Sequence, residues 1–396
     1  MNNQFLPSQF ERELLDNILP YWIKTAPDYE NGGFFGAVYS DGRINNDIPR
    51  TAVTCTRILW TFSHAYLHYP EKEYLQVAIM ARDYLDSAFW DKDYQGLFWS
   101  IDKRGNPVSD HKQYYAQAFG IYSYSEFFRA THDPVSLNRA IHLYHLVEEH
   151  AHDPQFGGYI EGSARNFTPL VDMRLSPKDM NCNKSMNTLL HLIEAYTNLF
   201  RVWNDPSLRN SLQNLLLDFI EYIIDPQSGH FKLFLDKEWH SLSDLVSCGH
   251  EIEGSWLLDE AASVLGDHGL IEKIQSVSLN LAERVLSSGM DPHGGIIQEG
   301  TTSKINQTGK EWWPQAEAVI GFYNAYQLSG KSRFLHASQT CWNFIQDKFI
   351  DEVHGGWFKR LTPDGTVDQT SPKLGPWESS YHESRMCFEM IKRSSE

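Results

Sequence analysis

The stretch VSCGHEIEGSW, Val246 to Trp256, sets His250 and Glu253 three residues apart, close enough to share one side of a helix. A second histidine, His382, stands far along the chain in WESSYHESRMC. Imidazole titrates near neutrality, so two imidazoles facing one cavity could remove and return a proton without help from a cofactor. Glu253, one turn after His250, could hold that imidazole's tautomer or tune its basicity. HEIEG begins like the zinc-binding H-E-x-x-H helix, but residue 254 is Gly and no tight His/carboxylate cluster is legible, so no metal is expected. The chain also lacks a phosphate-cradling G-x-x-x-x-G-K-[ST] loop, a dinucleotide fingerprint and a G-x-S-x-G elbow. Cofactor-free acid–base chemistry is the class that remains.

The elements that must carry these residues follow a repeat. A Gly-aromatic motif recurs as NGGFFG, QGLFWS, FGGYIE, SGHFKL, HGGIIQ and HGGWFK, with its recurring glycine at Gly33, Gly96, Gly158, Gly229, Gly295 and Gly356. The intervals are 63, 62, 71, 66 and 61 residues, the period of a repeat architecture. Each motif reads as a turn with a short hairpin arm. Between motifs the apolar pattern has the helical period, giving five helix pairs and one helix at each end, twelve in all. The first and last helices are as apolar as the middle ones. An open solenoid needs polar capping repeats, so the ring is expected to close into an all-α (α/α)6 barrel with short β-hairpins between helix pairs. No linker divides the chain, which reads as one domain over 1–396.

At the start of the first helix after each hairpin stand Arg57, Tyr115, Asn187 with His191, His250 with Glu253, Trp313 with Glu317, and Trp377 with His382. The first member of each set lies 24, 19, 29, 21, 18 and 21 residues beyond its glycine. In a six-fold ring such positions converge on one axis. The long irregular stretch from Gly162 to Lys184 is expected to wall or cover the site.

A net charge of −17 disfavours nucleic acid and anionic lipid as partners. No apolar run approaches the roughly 18 residues of a membrane span. The N-terminal stretch shows no signal-peptide pattern, and five scattered cysteines read as reduced thiols, so a cytoplasmic location is expected. Asn166 and Asn306 head N-x-T triplets that, without a secretion signal, read as chance matches.

SCGHEIEGSWLLDEAA, SMNTLLHLIEAYTNL, KEWWPQAEAVIGFYNAYQ and WESSYHESRMC resemble the cellobiose 2-epimerase branch of the N-acylglucosamine 2-epimerase superfamily. TRILWTFSHAY and KQYYAQAFGIYSYSE resemble it too, and the motifs run in the same order over essentially the whole chain. The resemblance implies an (α/α)6 barrel, no cofactor and a small carbohydrate substrate. It implies that His250 and His382 exchange a proton at C2 of a reducing-end sugar through a cis-enediolate. Arg57, Asn187 and His191 would then bind the reducing-end oxygens, and Tyr115 and Glu253 would orient substrate and base. Trp313 and Trp377 would stack on sugar rings, with Glu317 in support. Three departures lie beside these residues: Leu189 replaces the first histidine of an N-T-H-L-H pattern, Ser379-Ser380-Tyr381-His382-Glu383 replaces C-P-Y-H-N, and Pro314 follows the Trp312-Trp313 pair. The expected assembly is a monomer or weak homodimer. A monosaccharide epimerase or mannose/fructose isomerase, a glycoside hydrolase using Glu253 and Glu317, and a non-catalytic sugar-binding scaffold are the competing readings.

Overall fold

A computed structural model describes residues 5–301, 304–305 and 309–395; Asn306 lies outside them. Among the described residues, twelve helical rods alternate inner and outer around a ring. The inner rods are α2 (Ala52–His68), α4 (Tyr114–Thr131), α6 (Met186–Phe200), α8 (Cys248–Leu265), α10 (Trp312–Ser329) and α12 (Tyr381–Ser395). The outer rods are α1 (7–25), α3 (72–89), α5 (Pro134–His150), α7 (206–223), α9 (268–289) and α11 (Ser332–Lys348). Burial explains their different sequence patterns. In α8 every residue from Glu251 to Asp259 is buried, whereas α9 buries Leu270, Ile274, Leu281, Ala282 and Val285 along one stripe.

Each inner helix packs on the next, and α12 packs on both α2 and α1, so the ring closes. Trp22 Nε1 of α1 donates to Glu383 of α12 at 2.7 Å, and Trp357 Nε1 of the last hairpin donates to Glu13 at 2.7 Å. These bonds join the two ends of the chain.

The hairpins also bind one repeat to the next. The strand just before an inner helix pairs with the following repeat's hairpin: Arg50–Thr51 with Ser100–Ile101, Lys112–Gln113 with Gly162–Ser163, and Lys184–Ser185 with Phe234–Leu235. Leu245–Ser247 pairs with Glu299–Thr301, Lys310–Glu311 with Arg360–Leu361, and a Val38–Leu374 bridge completes the circle. The six repeat glycines all have φ between +66° and +72°, a region open to Gly at little cost. A Cβ on Gly158 would lie 2.5 Å from the Trp239 ring. Five repeats add a buried or half-buried ion pair between the aspartate of the turn and a cation on the strand: Asp28–Arg50, Asp91–Lys112, Asp153–Lys184, Asp291–Lys310 and Asp351–Lys373. The fourth repeat has Val246 at the corresponding strand position. The strand circle gathers the N-terminal ends of the inner helices at one end of the barrel.

Candidate active site

That end holds a cavity of about 480 Å³ lined by Arg57, Tyr115, Asn187, His191, His250, Glu253, Trp313, Trp377 and His382. All six repeats contribute. Glu317, fully buried, stands one turn deeper. A second lobe of about 370 Å³ shares Leu175, Asn187, His250 and Glu311 with the first. The irregular loop between Ser163 and Lys184 walls both lobes with Leu175, Ser176, Lys178 and Asp179. Gln113 Nε2 pins this loop by donating to the carbonyls of Met173 and Arg174 at 2.9 and 3.0 Å.

His382 is 4% exposed. Its Nδ1 lies 2.7 Å from Glu317 Oε1. A carboxylate there accepts from Nδ1–H and leaves Nε2 as the free lone pair. His191 is built the same way, with Nδ1 2.8 Å from Glu194 Oε2 on the same helix. Burial holds both imidazoles below the usual histidine range, His382 well below, so both are neutral at neutral pH.

His250 differs. Its Nδ1 lies 2.8 Å from Ser247 Oγ, and that same oxygen caps α8 by accepting from the His250 backbone N–H. Burial pushes its pKa down to about 3. The expected His250–Glu253 partnership does not form. Glu253 turns toward α12 and accepts from Arg385 Nη2 at 2.7 Å, 4.0 Å from His382 Nδ1. The hydroxyl at the helix cap is nearer to His250 and takes the place expected of the carboxylate. Trp313 packs against both histidines, its ring 4.8 Å from His250 and 5.7 Å from His382. Its Nε1 donates to Glu311 at 2.9 Å.

Arg57 donates to Tyr115 Oη at 2.9 Å and to the Trp377 carbonyl at 3.1 Å, and its guanidinium lies over Phe119. Arg57 Nε and Asn187 Oδ1 are buried without a protein partner. Both belong to side chains lining the cavity, where a polyhydroxylated ligand could satisfy them. Trp377 packs against Tyr115 and Trp99 at the wall.

A His/carboxylate cluster that sequence reading did not find is present: Glu253, Glu317 and His382 place one ligand atom each within 4.8 Å of one another. Arg385 Nη2 already answers both carboxylates, at 2.7 and 2.6 Å, so a guanidinium supplies the cationic charge there. The same geometry counts against a hydrolytic pair. Glu317 is fully buried and does not line the cavity, so it cannot flank a bound glycosidic bond opposite Glu253.

Sequence reading missed Arg385, Glu194 and Ser247. A signal existed for the first two: His191-x-x-Glu194, His250-x-x-Glu253 and His382-x-x-Arg385 repeat one spacing in three inner helices. The three departures noted in the sequence do not line the cavity; Pro314 is buried beside Trp313. Leu189 is fully buried in the core, and Glu383 faces away, bonded to Trp22 and Lys359. Glu251 likewise turns outward, accepting from His230 and the Phe231 N–H at the hairpin.

Residues 33–384 match the family model of N-acylglucosamine 2-epimerase (GlcNAc 2-epimerase). The chain is 42% identical over 390 residues to the cellobiose 2-epimerase of Bacteroides fragilis, covering 98% of this chain and 99% of that protein. It superposes on cellobiose 2-epimerase from Bacillus thermoamylovorans with a TM-score of 0.92 at 36% identity, over 98% of this chain and 99% of that one. A D-mannose isomerase, with a TM-score of 0.85 at 20% identity over 97% of each chain, shares the fold. Closed ring, convergent helix starts and a family match spanning nearly the whole chain lead to one assignment: this chain belongs to the N-acylglucosamine 2-epimerase family.

Proposed function

We propose that this chain is a carbohydrate 2-epimerase that interconverts glucose and mannose at the reducing end of β-1,4-linked disaccharides such as cellobiose and lactose. The observation that carries the reading is the convergence of His250 and His382, from two different repeats, on the Trp313 ring in one two-lobed cavity. The high identity to cellobiose 2-epimerases over full length supports the substrate class. After ring opening, one neutral imidazole removes the C2 proton. Arg57, fixed by Tyr115 and the Trp377 carbonyl, stabilises the enediolate oxygens. Rotation about C2–C3 presents the other face, and the second imidazole delivers a proton there. The enediolate charge favours the protonated form of that donor. The donor, neutral at rest, takes that proton from water as the enediolate charge develops and is neutral again once it has delivered it; the base gives the C2 proton up to water, which restores the pair. Trp313 and Trp377 supply flat faces for sugar rings, and the second lobe leaves room beyond a single one. The five cysteines, all buried and unpaired, fit a reducing cytoplasmic setting. A monomer or weak homodimer is the assembly to test by sedimentation velocity.

Incubation with cellobiose in heavy water, followed by NMR, tests the reading. Glucosyl-mannose carrying deuterium at C2 is the expected product. A 2-ketose as the main product would make the chain an aldose–ketose isomerase instead. Product without deuterium at C2 would rule out the enediolate route.

A further inference from the structure

One turn below the cavity histidines lies a fully buried charged layer. Arg385 of α12 sits at its centre, buried and outside the cavity lining. Its Nη1 bonds Glu194 of α6 and the Tyr381 hydroxyl; its Nη2 bonds Glu253 of α8 and Glu317 of α10. Glu194 and Glu317 are the carboxylates that hold His191 and His382. We propose that Arg385 is a positioning residue: a single guanidinium locks both histidine–carboxylate pairs into the same tautomer and leaves His250, outside its reach, set independently by Ser247.

The charge balance of the layer supports this. Three carboxylates converge on one guanidinium, and Arg57 is the other cation acting on His382. Glu194 is held down to about 2, largely by Arg385 against the opposing effect of burial. Burial raises both Glu253, to about 8, and its neighbour Glu317; Glu317 meets Arg385, Trp256 Nε1 and His382 Nδ1 whereas, among the described residues, Glu253 bonds Arg385 alone, which places the layer's spare proton on Glu253. Without Arg385, Glu194 and Glu317 would also take up protons. A protonated carboxyl donates to Nδ1 instead of accepting from it. The proton on each imidazole would then move to Nε2, which on His382 is the nitrogen needed as a base.

The inference rests on reading this cavity as a proton-transfer site, but its test does not require turnover. Nitrogen-15 NMR of protein labelled at histidine reports the tautomer of each imidazole. In the unmodified chain His191 and His382 are expected as Nδ1–H tautomers. Arg385→Met should move both to Nε2–H and leave His250 unchanged. In the same variant kcat should fall at least tenfold, KM should stay within about threefold, and the acid limb of the kcat profile should move to higher pH. Arg385→Lys keeps the charge but has one nitrogen, so it should preserve one pair and lose the other; it also serves if Arg385→Met fails to fold. Unmoved His191 and His382 signals in a folded variant, or movement of all three histidines, would overturn the clamp. Correct tautomers with no turnover of cellobiose would overturn the proposed function and leave the clamp standing.

Discussion

His382 and His250 reach one cavity from equivalent ends of two inner helices, yet what stands behind each ring differs. Behind His382 is a carboxylate, Glu317, itself held by Arg385 and by Trp256 Nε1 at 3.0 Å. Behind His250 is the hydroxyl of the helix-capping Ser247. A carboxylate fixes the tautomer and stabilises an imidazolium; a hydroxyl accepts or donates and does neither strongly. The ring symmetry therefore delivers two imidazoles to one place, and the layer one turn below makes them chemically unequal.

The largest expected effects come from removing the rings themselves. His382→Asn and His250→Asn should each lower kcat by about 10²–10⁴-fold, measured with cellobiose by product NMR. If either variant keeps full activity, the two-histidine relay is wrong. Removing what lies behind the rings should separate them. Glu317→Gln should cost roughly 10²-fold or more in kcat, since an amide can hold the wrong tautomer. Ser247→Ala removes a neutral hydrogen bond worth about 1 kcal/mol, about fivefold in rate. Equal losses would erase the distinction between the two histidines.

Much of this was legible in the sequence because it follows a period. Six glycines at near-constant spacing and two kinds of helix pattern were enough for a twelve-helix ring. The same count brought together the residues that line the cavity. Less legible was everything that depends on which side of a helix a short side chain faces. Glu253 lies three residues after His250, but a one-turn offset directs it to α12, while Ser247 folds back as a cap. Arg385 was hidden among apolar neighbours, Met386, Cys387 and Phe388, where only the recurring three-residue spacing marked it. The pairing of strands from one repeat to the next was not legible for a related reason. Two-residue strands carry almost no pattern, and their partners lie in the next repeat.

Titration offers a finer probe of the unequal layer. His250 falls from 6.5 to about 3 on burial. Between those values the unfolded chain binds the extra proton, so stability drops as pH falls through that window. Glu253 rises from 4.5 to about 8. Between those values the folded chain binds the extra proton, so stability drops as pH rises through it. The two slopes oppose each other from 4.5 to 6.5, and only the Glu253 slope persists from there to 8. Urea midpoints at pH 6.5 and 8 should therefore decline in the unmodified chain and decline less in Glu253→Gln. His250→Asn should leave that alkaline decline in place and lessen the acid one. If both variants alter the same limb, the two sides of the cavity are not electrostatically distinct.

The smallest effect on catalysis is expected at Leu189, where the resembling branch carries a histidine. Leu189 follows Asn187 by two residues, so the helical turn carries it away from the cavity and into the core, where it is fully buried. Leu189→His would bury an imidazole among apolar neighbours. Its cost should fall on folding, about 1–3 kcal/mol, read as a lower urea midpoint. kcat and KM for cellobiose and lactose should each stay within about twofold. A tenfold change in preference between the two sugars would mean that this core position reaches the site through Asn187. The histidine comparison would then have to include the third repeat, whose His191–Glu194 pair is built like that of His382.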